Sequence, residues 1–269
     1  MAQTSTRPTV LTVAGSDSGG GAGIQADLKT FAAHDTYGVS AVTAVTAQNT
    51  LTVSAVDAVS CSVIEAQISA VFEDFDIRSM KTGMLLNAEI VDAVCAALES
   101  RSAPPVVVDP VMFSTSGDRL LDEEAIAIVR TRLLQHARVV TPNIAEAEVL
   151  TGLKIESFQD ARLAASRIRA LGADAVVITG GHFDSPHITD LLDDMGTLIE
   201  FSGPRIDSLS THGTGCTFAA SIAAELARET PLIDAVRKAK RYVEGAIRHA
   251  EPMGNGKGPL NHFWQNERQ

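Results

Sequence analysis

Short β-branched apolar runs alternate along this chain with longer segments whose apolar residues recur every three or four positions. Val10–Ala14 reads as a strand, and Ile24, Leu28, Phe31 and Ala32 follow at helical spacing. Val39–Thr46 reads as the next strand, and Ile64, Ile68, Val71, Phe72 and Phe75 then share one helical face. Val106–Val108, Val139–Thr141 and Ala175–Ile178 have the unbroken apolar character of strands buried on both faces, each preceded by an amphipathic helix. Phe218, Ile222 and Leu226 mark one late helix, and Ile233, Val236, Val243 and Ile247 mark another. This alternation predicts an α/β fold with a parallel sheet covered by helices on both faces. No repeat and no Pro-, Gly- or Ser-rich linker divides the chain. A single domain is expected over residues 1–269, with residues 1–8 as a flexible N-terminal tail.

Composition narrows the partners. The 33 Asp and Glu against 22 Lys and Arg leave a net charge of −11, which repels nucleic acid and anionic membranes. A small anionic substrate is still admissible, because clustered backbone N–H groups bind phosphate inside an acidic protein. Cys61, Cys95 and Cys216 are too few and too scattered for a disulfide framework or a zinc site. No run of about 18 apolar residues occurs, so a soluble protein of a reducing, cytoplasmic compartment is expected.

Three segments carry candidate chemistry. Gly15-Ser-Asp-Ser-Gly-Gly-Gly-Ala-Gly23 lies between the first strand and its helix, where glycines let backbone approach a ligand. It matches neither a Walker A loop nor a dinucleotide fingerprint, and a ligand-free tight turn is the plain alternative. Ser210-Thr-His-Gly-Thr-Gly-Cys216 opens the helix of Phe218. There Gly213, Thr214 and Gly215 place successive amides at a helix N-terminus, suited to charge on a transferring phosphoryl group. Cys216, in the first turn, is expected to feel the helix dipole and yield a thiolate. In Thr141-Pro-Asn-Ile-Ala-Glu146, Asn143 and Glu146 share a face and fit either a hydrated Mg²⁺ or a helix-capping box, which spacing does not separate. Asp109, ending Val106–Val108, is equally open between a ligand and a turn residue. The histidines, His212 among them, read as satisfied polar groups without metal. Glu225, Glu229, Arg228 and Arg237 read as a solvated helix face.

Taken in order, Ala14-Gly-Ser-Asp-Ser-Gly-Gly-Gly-Ala-Gly-Ile-Gln-Ala-Asp-Leu-Lys29, Ala47-Gln-Asn-Thr50, Lys81-Thr-Gly-Met84, Val108-Asp-Pro-Val-Met112, Thr141-Pro-Asn-Ile-Ala-Glu146, Gly180-Gly-His182, His212-Gly-Thr-Gly-Cys216 and Gly256-Lys-Gly-Pro-Leu-Asn-His262 resemble the hydroxymethylpyrimidine/phosphomethylpyrimidine kinases of thiamine biosynthesis. The resemblance runs from Val10 to about His262. It implies a ribokinase-like three-layer α/β/α sandwich with a mostly parallel central sheet, ATP as donor, Mg²⁺, two successive phosphorylations of an aminopyrimidine, and a homodimer. It further implies that Gln48 hydrogen-bonds the pyrimidine and that Gly15, Asp27, Met84 and Val111 line its pocket. Asn143, Glu146, Asp109, Thr179 and Thr211 would serve Mg-ATP, with Glu146 reaching the metal through water. Gly213, Thr214 and Gly215 would form the anion hole, and Cys216 would be the general base. An amide suits the role given to Gln48, since an aminopyrimidine edge presents both donors and acceptors.

The chain departs from that pattern at Thr179, where many members of the family carry a lysine on the ATP phosphates. A hydroxyl replaces a point charge there. Two other functions compete: a pyridoxal or pyridoxine kinase of the same superfamily, and a non-catalytic regulator that kept the fold. Ala47-Gln-Asn-Thr50 and a cysteine at 216 favour the pyrimidine over vitamin B6. Retention of Asn143, Glu146 and Cys216 argues against a dead scaffold.

Overall fold

The apolar runs become the parallel centre of one sheet. The computed structural model describes residues 7–113, 120–181 and 187–266. Its strands are β1 (Thr9–Asp17), β2 (Tyr37–Gln48), β3 (Val53–Ala58), β4 (Ile77–Thr82), β5 (Val106–Val108), β6 (Ala137–Val140), β7 (Ala175–Gly181), β8 (His187–Asp194) and β9 (Thr197–Pro204), in the order β3-β2-β1-β4-β5-β6-β7-β8-β9. The six strands from β2 to β7 are parallel, and β3, β8 and β9 add antiparallel edges.

Strand alternation sorts the side chains into two cores. Leu11, Val13, Val106, Val108, Val140 and Val176 face a layer made by α2 (Cys61–Asp74), α3 (Ala88–Glu99), α4 (Glu123–Thr131), α5 (Ile144–Thr151) and α6 (Phe158–Ala170). Val10, Val107, Val139, Ala175 and Val177 face α1 (Gly23–Ala33), α7 (Thr214–Ala227) and α8 (Leu232–Arg248). Neighbouring residues of one strand thus feed opposite cores, the pattern a sheet needs when both faces are dry. The result is the expected three-layer α/β/α sandwich.

Pro8 O already accepts from Tyr37 N at 2.9 Å, and Arg7 pairs with Asp35 at 3.1 Å. Of the tail expected over residues 1–8, only positions 1–6 lie outside the described residues, as does His182 of the Gly180-Gly-His182 segment. Among the described residues, no helix is long and apolar enough to cross a membrane.

The chain runs from β1 outward to β2 and β3, then returns to the far side of β1 with β4. The carboxyl ends of β1 and β4 therefore flank a topological switch point, where open α/β sheets leave a crevice for ligands. One wall of that crevice is the start of α7, and its seating depends on a charge the sequence pattern concealed. Glu225 is buried rather than solvated: it accepts from Lys238 Nζ (2.6 Å) and Thr230 Oγ1 (2.7 Å) and lies 3.2 Å from His34 Nδ1, joining α7 to α1 and α8. Burial alone would raise its carboxyl, but the bonds from His34, Lys238 and Thr230 prevail and pull it down to about 2. A carboxyl depressed from its ordinary 4.5 stabilises the fold above that pH and loses the effect as pH falls toward 2, an effect of about 3 kcal/mol. Urea unfolding of the wild type and Glu225→Gln should therefore differ by that order at pH 7. The difference should shrink steadily between pH 4.5 and 2.

Candidate active site

The Gly-rich turn after β1 is organised by Asp17. Its Oδ1 accepts from Gly19 N (2.8 Å), and its Oδ2 from Gly21 N (3.0 Å) and Ala22 N (2.8 Å). Lys29 Nζ closes the turn by donating to Gly20 O at 2.7 Å. A fourth bond to Asp17, the third on Oδ2, comes from His212 Nε2 at 2.9 Å. Burial raises the Asp17 carboxyl, but these donors outweigh it and hold the group below its usual range. Asp17 is an anion that wraps the loop around itself.

Backbone meets backbone where this loop touches α7. Gly213, the N-cap of α7, has φ +84° and no room for a side chain, since a Cβ would overlap Gly21 O. Gly23 is held as tightly against Gly15 O, at φ +56°. Glycine is required at both positions by conformation and by space. The helix then begins at Thr214 with no side chain capping its N–H groups, and the site of a Gly215 Cβ faces open space. The first-turn amides of α7 are thereby presented to the crevice, as expected of Gly213, Thr214 and Gly215.

Beneath the crevice lies a buried charge cluster that the sequence did not announce. Lys81 of β4, without solvent exposure, donates to both oxygens of Asp27 at 3.0 Å and sits 3.6 Å from Asp109 Oδ2. Thr12 Oγ1 adds a 2.6 Å bond to Asp27. Asp27 was expected on the pocket wall; instead it is fully buried under it, because α1 points the side chain at Lys81. Burial raises the Asp27 and Asp109 carboxyls and Lys81 opposes the rise; for Lys81, the carboxylates overcome burial and hold it charged. Asp109 Oδ2 is buried without a hydrogen-bond partner of ordinary geometry.

Asn143 and Glu146, the two residues open between a capping box and a Mg²⁺ site, stand at the first turn of α5. Asn143 caps α5, its Oδ1 accepting from Glu146 N, while Glu146 Oε2 accepts from Asn143 N, both at 3.0 Å. Glu146 Oε1 also takes Met112 N at 3.1 Å. The capping box exists, and both residues still face the crevice. Burial and nearby Asp109 push the Glu146 carboxyl up to about 7. Thr179 is half-buried beside them, its N–H bonded to Pro142 O at 2.9 Å.

Cys216 departs from expectation in its chemistry. Part of the residue faces the crevice, yet burial pushes its thiol up to about 12, against the pull of Lys81 and with Asp109 and Asp27 adding to the rise. The helix dipole acts within one turn and is screened by surroundings of opposite sign.

All these walls enclose one pocket of about 310 Å³. Gly15, Gln48, Met84, Val111, Asp109, Asn143, Glu146, Thr179, Thr211, Gly213, Thr214, Gly215 and Cys216 line it, and Asp27 does not. Asp17 and His212 line it as well; only their joint placement beside Gln48 marks them as site residues. The described lining contains three carboxylates and no Lys or Arg.

A family model for phosphomethylpyrimidine kinase matches residues 17–261. The chain belongs to that family. It is 49% identical over 257 residues to a hydroxymethylpyrimidine/phosphomethylpyrimidine kinase of Rhizobium meliloti, covering 94% of this chain and 96% of that one. It is also 49% identical to a thiamine biosynthesis bifunctional protein of Geobacter sulfurreducens, where it spans 96% of this chain and about half, 52%, of the longer relative. Among solved structures, an ADP complex of Bacillus subtilis pyridoxal kinase superposes with a TM-score of 0.91 at 35% identity, covering 98% of this chain and all of that one.

Two carboxylates and an ammonium buried together predict an asymmetric response to mutation. Lys81→Met should cost about 3–5 kcal/mol in urea unfolding by stranding Asp27. Lys81→Met combined with Asp27→Leu should recover most of that loss.

Proposed function

We propose that the chain is an ATP-dependent kinase that phosphorylates the hydroxymethyl group of 4-amino-5-hydroxymethyl-2-methylpyrimidine and then raises the monophosphate to the diphosphate, within thiamine biosynthesis. The observation that carries this reading is one pocket lined by two groups of residues: the first wall is the Gln48 amide with Met84 and Val111, and the second is the uncapped start of α7. A flat polar ring bound at the first wall presents its substituent to amides suited to phosphoryl charge. The relatives named for this activity support the choice of substrate, and the ADP bound by the pyridoxal kinase supports ATP as donor.

The donor set fits Mg²⁺. Among the described residues no cluster of three or more His, Cys, Asp or Glu forms a closed metal cage. Mg²⁺ needs none, as it commonly takes one or two carboxylates together with phosphates and water. Asp109, whose buried Oδ2 has only the 3.6 Å approach of Lys81, and Glu146, raised by burial and by Asp109, would hold the ion, Glu146 through water. The ion would neutralise charge on the transferring phosphoryl group. With no Lys or Arg on the described lining, the first turn of α7 is the protein's own positive element, and Thr179 adds only a hydroxyl. Thr211 completes the wall beside Gly213. The family's homodimer in a cytoplasmic setting completes the proposal.

Burial favours the thiol form of Cys216 in the ligand-free site, so base action there requires that it first release its proton to solvent. Lys81, the Gly23 amide and the helix terminus favour its departure. The two steps differ in their need for a base. An alcohol must lose a proton as it attacks, whereas a phosphate monoester with a second pKa near 6 is already ionised. Cys216→Ala should therefore slow phosphorylation of the alcohol by about 10²–10⁴-fold and that of the monophosphate far less. Rates measured separately from each substrate at saturating Mg-ATP check this; equal losses would leave Cys216 a shaping role only.

Vitamin B6 is the second reading, favoured by the likeness to pyridoxal kinase. The ratio of kcat/KM for the pyrimidine alcohol to that for pyridoxal decides between them. Gln48→Ala should raise KM for the pyrimidine by roughly 1–3 kcal/mol in binding and leave KM for ATP nearly unmoved. Unchanged values for both would remove Gln48 from pyrimidine recognition. Thr179→Lys should retain activity and lower KM for ATP; a folded but inactive variant would mean that another cation already fills that space.

A further inference from the structure

The pairing of β7 with β8 slips by one residue at the edge of the pocket. Ile178 faces Leu191 and Gly181 faces Thr189, so three steps along β7 match two along β8. The extra residue makes a β-bulge at Thr179 and Gly180, with Gly180 at φ +76°. On its other side β7 keeps register with β6: Thr179 stays bridged to Asn143, its N–H on Pro142 O at 2.9 Å. A bulge takes backbone groups out of the ladder, and a sheltered amide then needs another acceptor. Asp190 of β8, opposite the bulge, supplies it, its Oδ1 accepting from Gly180 N at 3.0 Å. Lys240 Nζ of α8 holds the other oxygen at 2.8 Å and also donates to Ile188 O at 3.3 Å. The Asp190 and Lys240 side chains are only 8% and 11% exposed, and neither lines the pocket, whereas Thr179 and Asn143 do. Fastening α8 to β8 occupies Oδ2 alone; Oδ1 is turned to the bulge.

We propose that Asp190 is a positioning residue for the nucleotide: through Gly180 it holds the bulge that sets Thr179 beside Asn143 on the pocket wall, and Lys240 orients its carboxylate to do so. The inference rests on the kinase reading above and deepens it, because Thr179 and Asn143 are among the residues which that reading gives to Mg-ATP. The residues it gives to the pyrimidine are carried elsewhere. Gln48 ends β2, Met84 follows β4 and Val111 follows β5, all separated from β8 by at least two strands of the sheet. A bulge released from β8 therefore shifts the nucleotide side of the pocket and leaves the pyrimidine side in place.

Two double variants separate the acceptor from the charge pair: Asp190→Leu with Lys240→Met, and Asp190→Asn with Lys240→Met. Both remove the buried charges together, which a fold tolerates far better than the loss of one partner. They differ in what faces Gly180 N, since the amide oxygen of Asp190→Asn still accepts and the methyl of Asp190→Leu does not. KM for ATP should rise about tenfold in the Asp190→Leu pair and stay within about twofold of the wild type in the Asp190→Asn pair. KM for the pyrimidine alcohol should move less than about twofold in both. Titration calorimetry with ADP alone should show the same split in Kd. Amide hydrogen exchange in the ligand-free protein reads the grip itself: Gly180 should exchange faster in the Asp190→Leu pair than in the wild type or the Asp190→Asn pair. Equal KM for ATP in the two variants, or a pyrimidine KM that rises in step with it, would make Asp190 a fastener of α8 and sink the inference. Gly180 exchange that is the same in all three proteins would do so too. Should the Asp190→Leu pair fail to fold, Asp190→Ala with Lys240→Met removes the same acceptor and takes its place in each comparison. A wild type that neither phosphorylates the alcohol nor binds ADP would instead strike the functional reading, with Gly180 exchange still deciding what Asp190 holds.

Discussion

A lysine ammonium with no access to solvent must be paired wherever it sits, and Lys81 sits under the switch point of the sheet. Its pairing with Asp27 ties β4 to α1, Thr12 draws β1 into the same cluster, and Asp109 at the end of β5 completes it. Burying these charges costs several kcal/mol for each ion unless partners repay it, so the arrangement tolerates little relative movement of the four elements. The crevice above inherits that rigidity. The Gly-rich turn leaves the end of β1, the α7 terminus docks on it at Gly21 and Gly213, and Asp109 stands at the floor. A site that must place two phosphates and a hydroxymethyl group in line needs such a fixed floor more than it needs flexible walls.

The sign of the charge on those walls governs what the pocket can hold. Three carboxylates and no Lys or Arg on the described lining would repel a nucleotide if nothing offset them. Lys81 is committed to two carboxylates, and Lys240 is tied to Asp190 at 2.8 Å. The amides of α7 offset part of that charge, and the Mg²⁺ of the proposed function would offset more. Thr179 brings a hydroxyl and no charge to that balance. Burial, with Asp109 and Asp27 adding to it against Lys81, raises the Cys216 thiol, so Asp109 bears on nucleotide affinity and on thiol chemistry alike.

The parallel centre of the sheet was legible because strands buried on both faces read as apolar runs, and the period of the helices was equally plain. The edges were not. β3 has a largely exposed surface and no apolar run, and in β8 and β9 acidic and polar residues break up the few apolar ones, Leu191, Leu192 and Phe201, that reach the two cores. Their hairpin turns through Met195 and Gly196, both at positive φ, where a methionine hides the usual Asn-Gly signal. β4 escaped the pattern for a different reason. Arg78, Ser79 and Lys81 interrupt its hydrophobic run, and only the partner on α1 makes a buried lysine admissible. Glu225 was misplaced on the same ground: a carboxylate on a helix reads as solvated until its buried partners are known.

Within the site, motif spacing brought together every expected lining residue except Asp27, and it missed Lys81, Asp17 and His212, whose roles lie in contacts distant in sequence. The choice posed at Asn143 and Glu146 also dissolves on inspection. A capping box was set against a ligand site as though one excluded the other. Here the box holds the start of α5 at the end of β6, and Glu146 reaches from it to the Met112 amide after β5. The bonds that terminate the helix are therefore the bonds that fix two loop backbones around the crevice. Local folding rules and site geometry use the same atoms, which is why sequence spacing could not separate them.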